Sequence, residues 1–161
     1  MKLTSPEFND GYELPNHVTS DAENISPRLE WSDLPEGCRS LVLTCEDTDQ
    51  AFNHWIIYNI SPAIKSLPAD IPTFLHLESP IQADQGVNSF GRVGYRGPQP
   101  PLGGGSHHYV FTLYALDANL ALPAGLDPGV VAERMESHVL AKAELAGSYA
   151  TRKHRPRLRA A

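Results

Sequence analysis

The sequence predicts a mostly β fold, and three observations carry that prediction. Short apolar runs rich in β-branched residues recur along the chain, fourteen prolines and twelve glycines punctuate them, and only one late stretch has helical periodicity. Strands followed by a single late helix point to a β-sandwich, or to a large sheet covered at one edge by that helix, rather than to alternating βαβ units.

Taken in chain order, RLEW at residues 28–31 is a short strand candidate. SLVLTCE from Ser40 and WIIYNIS from Trp55 are apolar on both faces, as expected of strands buried inside a sheet. A weaker candidate covers residues 71–77. YVFTLYALD from Tyr109 places Tyr109, Phe111, Leu113 and Ala115 on one face and Val110, Thr112, Tyr114 and Leu116 on the other. The predicted helix is DPGVVAERMESHVLAKAELAG: Asp127 caps it, Pro128 sits where a missing N–H costs nothing, and Gly147 closes it. Ala132, Met135, Val139 and Ala143 would form its inner stripe.

The 161 residues suit one domain, expected over residues 1–150, followed by a basic tail expected to be disordered over 151–161. Arg152, Lys153, Arg155, Arg157 and Arg159 crowd into that tail, so the net charge of −6 becomes −11 for residues 1–150. Such an acidic body lacks the continuous cationic surface that nucleic acid requires. No apolar run has the length of a membrane span and no secretory pattern opens the chain, so a cytoplasmic protein without stable membrane insertion is expected. Cys38 and Cys45 have no second pair beside them and read as idle thiols.

Polar groups gather where strands meet loops. CEDTDQ leaves the Leu41 strand, His54 enters the Trp55 strand a few residues later, and GYRGPQPPLGGGSHHY delivers His107, His108 and Tyr109 to the last strand. The short connection brings Asp47 near His54. If the Tyr109 strand lies alongside, Asp47, His54, His107 and Tyr109 surround one small concave site. Imidazoles, a phenol and loop N–H groups can hold an anion there, while a carboxylate fixes a histidine tautomer or receives an ammonium group. His108 should face the other way from His107 by strand alternation. His17, His76, His138 and His154 lack such company and read as surface residues.

These residues resemble the phosphatidylethanolamine-binding protein family, most closely its small bacterial Raf kinase inhibitor-like branch. The likeness runs through NISPRLEW, LVLTCEDTD, HWIIYNI, FGRVGYRGPQPPLGGGSHHYVFTLYALD and HVLAKAELAGSY. It implies a large central β-sheet packed on a smaller one, with a C-terminal helix and few short helices. It further implies a pocket for phosphate-like anions and phospholipid headgroups, walled by Asp47, His54, His107 and Tyr109. Backbone N–H groups of Gln50 and Gln99 would contact the anion, and Gly97, Pro100 and Pro101 would shape the loop. Two departures stand out: DTDQA replaces a proline-containing motif before a shortened loop, and His108 replaces an arginine, so that a salt bridge made there would depend on pH.

The expected function is therefore a non-enzymatic binding protein for a small anionic ligand such as phosphate or phosphoethanolamine, without cofactor or metal. Regulation of a protein partner, in the manner of a kinase inhibitor, and a homodimer are further implications of the resemblance. The rival reading is a hydrolase-like enzyme with His54 or His107 as base and Asp47 orienting it. Its weakness is that no serine or cysteine sits in a nucleophile motif, which leaves Ser106 as the nearby hydroxyl. A His/Asp metal site has suitable ligand types but none of the tight spacing of metal motifs.

Overall fold

The computed structural model describes residues 1–153. Its strands are β1 (Lys2–Thr4), β2 (Tyr12–Glu13), β3 (Leu29–Ser32), β4 (Ser40–Asp47), β5 (Phe52–Ile60), β6 (Ser66–Leu67), β7 (His76–Leu77), β8 (Ala83–Gln85), β9 (His107–Leu116) and β10 (Val139–Tyr149). Helix α1 (Pro128–Met135) and single 3-10 turns at Asn16–Val18 and Glu136–His138 complete the described elements. Seven strands form a central sheet in the order β2-β10-β9-β4-β5-β8-β7, and β1-β3-β6 form a smaller sheet. The large-sheet-on-small-sheet architecture is the one the family resemblance implies.

The central strands are apolar on both faces because both faces are covered. Leu41, Leu43, Cys45, Trp55, Ile57, Phe111 and Leu113 pack with Leu3, Leu29, Trp31 and Leu67 of the small sheet. The alternate residues Val42, Ile56, Tyr58 and Leu116 pack with Val131 and Met135 of α1. Period-two alternation thus distributes each strand between two cores, with every one of these residues under a tenth exposed.

The long predicted helix is a correction. Only Pro128–Met135 is α-helical; Asp127 does cap it, accepting the Gly129 N–H at 2.8 Å, but the chain then turns into the eleven-residue strand β10. Consequently Gly147 closes no helix but lies in a strand against Leu14, and the expected inner stripe breaks up: Ala132 is exposed, Val139 and Ala143 belong to β10, and Val131 joins Met135 as the buried pair. The reason is tertiary. β9 has an open edge next to β10, and antiparallel pairing from Val139↔Leu116 to Tyr149↔His107 satisfies it, which outweighs the modest helix preference of Ala, Glu and Lys.

Of the 71–77 region only His76–Leu77 is strand. Thr151 and Arg152 of the basic tail bond to Asp21 and Glu13, while residues 154–161, with His154, lie outside the described residues. No helix among the described residues is long and apolar enough to cross a membrane.

Candidate functional site

The β4–β5 turn builds the first wall. Four residues, 48–51, connect the strands, and the buried Asp47 carboxylate holds them: Oδ1 accepts the N–H groups of Asp49 at 2.9 Å and Gln50 at 3.2 Å. Carboxylate–amide bonds therefore stiffen this turn in the absence of prolines. Oδ2 accepts from His107 Nδ1 at 2.6 Å across the register in which Asp47 lies opposite Tyr109.

A register irregularity places His54. Cys45 pairs with Trp55 and Glu46 with Asn53, so His54 is an extra residue in β5, a β-bulge. Strict alternation would put His54 on the face of Ile56 and Tyr58; the bulge turns it instead toward Tyr109, whose ring it meets edge-on at 5.2 Å. Its Nδ1 donates to the Arg96 carbonyl at 2.6 Å, and the Arg96 N–H donates back to the His54 carbonyl at 3.0 Å. This fixes the tautomer and leaves Nε2 as the ring's open polar atom.

Ser89 fastens the third wall, since its N–H donates to the Asn53 carbonyl and its hydroxyl accepts the Asn53 N–H, both at 2.9 Å. Phe90 then meets Phe52 at 4.7 Å and His54 at 5.2 Å, with the Arg96 guanidinium 4.3 Å above its ring. The result is a cavity of about 200 Å³.

Of the residues that the sequence groups into one site, Asp47, Gln50, His54, Gln99, Pro100, Pro101 and Tyr109 line this cavity. His107 and Gly97 do not. His107 is joined to the cavity through Asp47, and Gly97 is packed against Val18 and Thr19, where it anchors the start of the loop. The Gln50 N–H is already engaged by Asp47. His108 faces away from His107: its side chain is 62% exposed and its N–H and Nδ1 donate to Asp49 Oδ2 at 2.6 and 3.0 Å. His17, His76 and His138 each sit at the surface beside one carboxylate, from Glu7, Asp84 and Asp117.

Sequence reasoning missed Phe52 and Phe90 as lining residues. Phe52 carries a signal, standing two positions before His54 at a strand end; Phe90 depends on the Ser89 clasp, which has none.

Burial dominates the electrostatics. It holds His54 below the usual histidine pKa of 6.5, against the opposing pull of the Arg96 carbonyl and the Asp47 charge. Burial first, then the Asp47 carboxylate, pushes the Tyr109 phenol well above its ordinary range, so it stays a hydroxyl. The lining thus offers a phenol that stays protonated, an imidazole that donates once protonated, and the aromatic walls of Phe52 and Phe90. It contains no serine, threonine or cysteine. Nowhere among the described residues do three His, Cys, Asp or Glu side chains converge as metal ligands.

Comparison with known proteins matches residues 4–150 to the family model described as phosphatidylethanolamine-binding protein. A UPF0098 protein of Methanothermobacter thermautotrophicus is 43% identical over 92% of this chain and 98% of its own length. A solved phosphatidylethanolamine-binding protein homologue from Chlamydia trachomatis aligns with a TM-score of 0.82 at 35% identity, covering 94% of this chain and 97% of its own. YbcL of E. coli, described as a new member of the mammalian family, aligns with a TM-score of 0.84 at 32% identity over 94% and 98% of the two chains.

Proposed function

Since the chain belongs to the phosphatidylethanolamine-binding protein family, we propose that it is a non-enzymatic binding protein whose cavity between Asp47, His54, Phe90 and Tyr109 takes the phosphoryl group of a small anionic ligand. The observation that carries this reading is the His54 ring. Nδ1 is committed to the Arg96 carbonyl, so Nε2 becomes the donor to an anionic oxygen once the ring is protonated. The Tyr109 ring meets the His54 ring edge-on at 5.2 Å and closes that side of the cavity.

Asp47 does not repel such an anion as a bare carboxylate would. Three N–H groups already compensate its oxygens, from Asp49, Gln50 and His107. A cavity of about 200 Å³ has room for a phosphoryl group with a short substituent, not for acyl chains, which favours a free metabolite or the headgroup of a lipid over its tail. The acidic body also disfavours bulk anionic membrane.

Nothing in the lining favours hydrolysis. There is no Ser, Thr or Cys nucleophile next to His54, and Ser106 lies on the exposed loop.

The test is titration of the full chain with inorganic phosphate and phosphoethanolamine, followed through the His54 ring signals by NMR. Saturable His54 shifts, with calorimetric binding of the same ligand that is lost in His54→Asn, support the reading, because Asn keeps a donor to the Arg96 carbonyl but loses Nε2. Silent His54 signals at millimolar ligand overturn it. Turnover of a phosphoester that is lost in His54→Asn would establish the enzyme instead.

A further inference from the structure

Beside the first cavity lies another of about 350 Å³, lined by Ser20, Asn24, Thr73, Asn88, Arg92 and Arg96 among others. Residues 1–150 hold nineteen acidic side chains and only eight lysines and arginines, yet two of those eight line this one cavity and no acid does. Neither Arg92 nor Arg96 has a carboxylate within ion-pair distance among the described residues, whereas Arg28, Lys142 and Arg152 all do. In a chain this acidic, two unneutralised guanidiniums facing the same polar space call for an anionic partner.

Their backbone is set firmly. Buried Asn88 braces the loop: its Nδ2 donates to the Gly94 carbonyl at 2.9 Å, and its Oδ1 accepts the N–H groups of Phe90 at 3.0 Å and Arg92 at 3.2 Å. The Asn88 N–H donates to the Arg92 carbonyl at 2.7 Å, so both backbone groups of Arg92 are held. Arg96 is fixed by its two-way bonding with His54 and by its guanidinium lying over Phe90 at 4.3 Å, a stacking that leaves the in-plane N–H groups free to donate.

The two cavities share a wall. Gln99 lines both, Arg96 lines the second while its carbonyl orients His54 in the first, and Phe90 in the first carries the Arg96 guanidinium. From this juxtaposition we infer that Arg92 and Arg96 form a second anion subsite, which receives the other oxyanion of a ligand whose first phosphoryl group sits at His54 and Tyr109. The inference rests on the function proposed above for its first group. The ligand class is a small molecule with two separated oxyanion groups, two phosphates or a phosphate and a carboxylate, paired with guanidinium forks at one end and the protonated His54 ring at the other.

Alkane bisphosphonates of increasing length, titrated into the isotopically labelled full chain, provide the test. His54 ring signals report the first cavity, and the Arg92 and Arg96 Nε–H signals report the second. The expected result is that one length moves both sets together and binds at least about tenfold tighter than inorganic phosphate, since the second contact becomes intramolecular. Arg92→Gln should cancel that gain and leave the phosphate titration at His54 unchanged, while Arg92→Lys restores part of it. If Arg92→Gln binds the bisphosphonate as tightly as the unsubstituted chain, or if His54 shifts while both arginine signals stay still, the second subsite is wrong and the first pocket stands. Arginine shifts with a silent His54 would instead overturn the first pocket and the two-group ligand with it.

Discussion

His107 donates from Nδ1 to Asp47 Oδ2 at 2.6 Å, with the two side chains only 10% and 3% exposed. The bond spans two adjacent strands, and the same carboxylate holds the turn that follows β4, so one buried group ties a histidine on β9 to the wall of the cavity. Asp47→Ala strands three N–H donors, each costing about 1–3 kcal/mol when left without an acceptor. Water entering from the adjoining cavity softens this, and a loss of about 3 kcal/mol in urea unfolding is expected. Asp47→Asn has a subtler outcome. Its Oδ1 still serves the turn, but its Nδ2 would face the His107 Nδ1–H, and the ring must change to the Nε2–H tautomer to accept it. Nitrogen chemical shifts of His107 would record the exchange; an unchanged tautomer would mean that the Asn side chain has turned away.

Proton uptake should accompany anion binding at His54. Burial keeps the empty ring neutral below its usual pKa of 6.5, while an anion at Nε2 needs the protonated form. Affinity for sulfate, which keeps its charge throughout this range, is therefore expected to rise as pH falls and to level off only below 6.5, once the empty ring is itself protonated. For the ligand-free protein the sign is opposite. The unfolded chain takes its proton near 6.5 and the folded one only at lower pH, so the contribution of neutral His54 is complete above 6.5 and is lost as pH falls through the folded value. Subtracting the pH–stability curve of His54→Asn isolates this slope from the surface histidines. A difference curve that is flat between pH 5 and 7 would contradict the burial argument.

Much of the fold was legible because β4, β5 and β9 are long and apolar on both faces, and their residues divide between two cores as strict alternation dictates. β10 was not, since Ala, Glu, Lys and Leu read locally as helix and only the open edge of β9 makes them a strand. The same division runs through the site. Asp47, Tyr109 and the opposed faces of His107 and His108 follow from position in a strand. The orientation of His54 follows from a bulge, while Phe90 reaches the cavity and the Arg96 carbonyl reaches His54 through loop contacts to β5, all of which depend on pairing with distant residues.

His108→Ala should leave anion binding at His54 unaltered. Its ring lies in solvent and bonds only to Asp49, while the backbone N–H of residue 108 makes its own 2.6 Å bond to the same carboxylate oxygen and survives the substitution. The 48–51 turn is held besides by the Thr48 N–H on the His108 carbonyl at 3.0 Å. Phosphate affinity equal to that of the unsubstituted chain is the expected result. A loss as large as that in His54→Asn would show that the exposed His108–Asp49 pair controls the turn.

Gly97→Ala should be more damaging than an alanine on the exposed part of the same loop, and should reach the cavity as well. A Cβ at residue 97 would stand 2.0 Å from the Val18 carbonyl oxygen and 2.9 Å from Thr19 Cα, both backbone atoms. That Val18 carbonyl accepts the buried Tyr95 hydroxyl at 2.7 Å, the Gly97 N–H donates to Asn24 Oδ1 at 2.7 Å, and the Gly97 carbonyl accepts the Ser20 hydroxyl at 2.8 Å. Relieving the clash therefore disturbs several bonds that hold the Gly97–Pro101 segment over the cavity, and about 2–3 kcal/mol of stability should be lost. Gly103→Ala meets nothing within 4 Å, and its φ of +79° costs only about 1–2 kcal/mol. Thermal unfolding of the two variants, with phosphate titration of each at a temperature where both are folded, separates the effects. Gly97→Ala should weaken binding as well as stability, because the displaced loop carries Gln99, Pro100 and Pro101 in the cavity wall. Unchanged binding in a destabilised Gly97→Ala would mean that this wall is set from the β9 end of the loop.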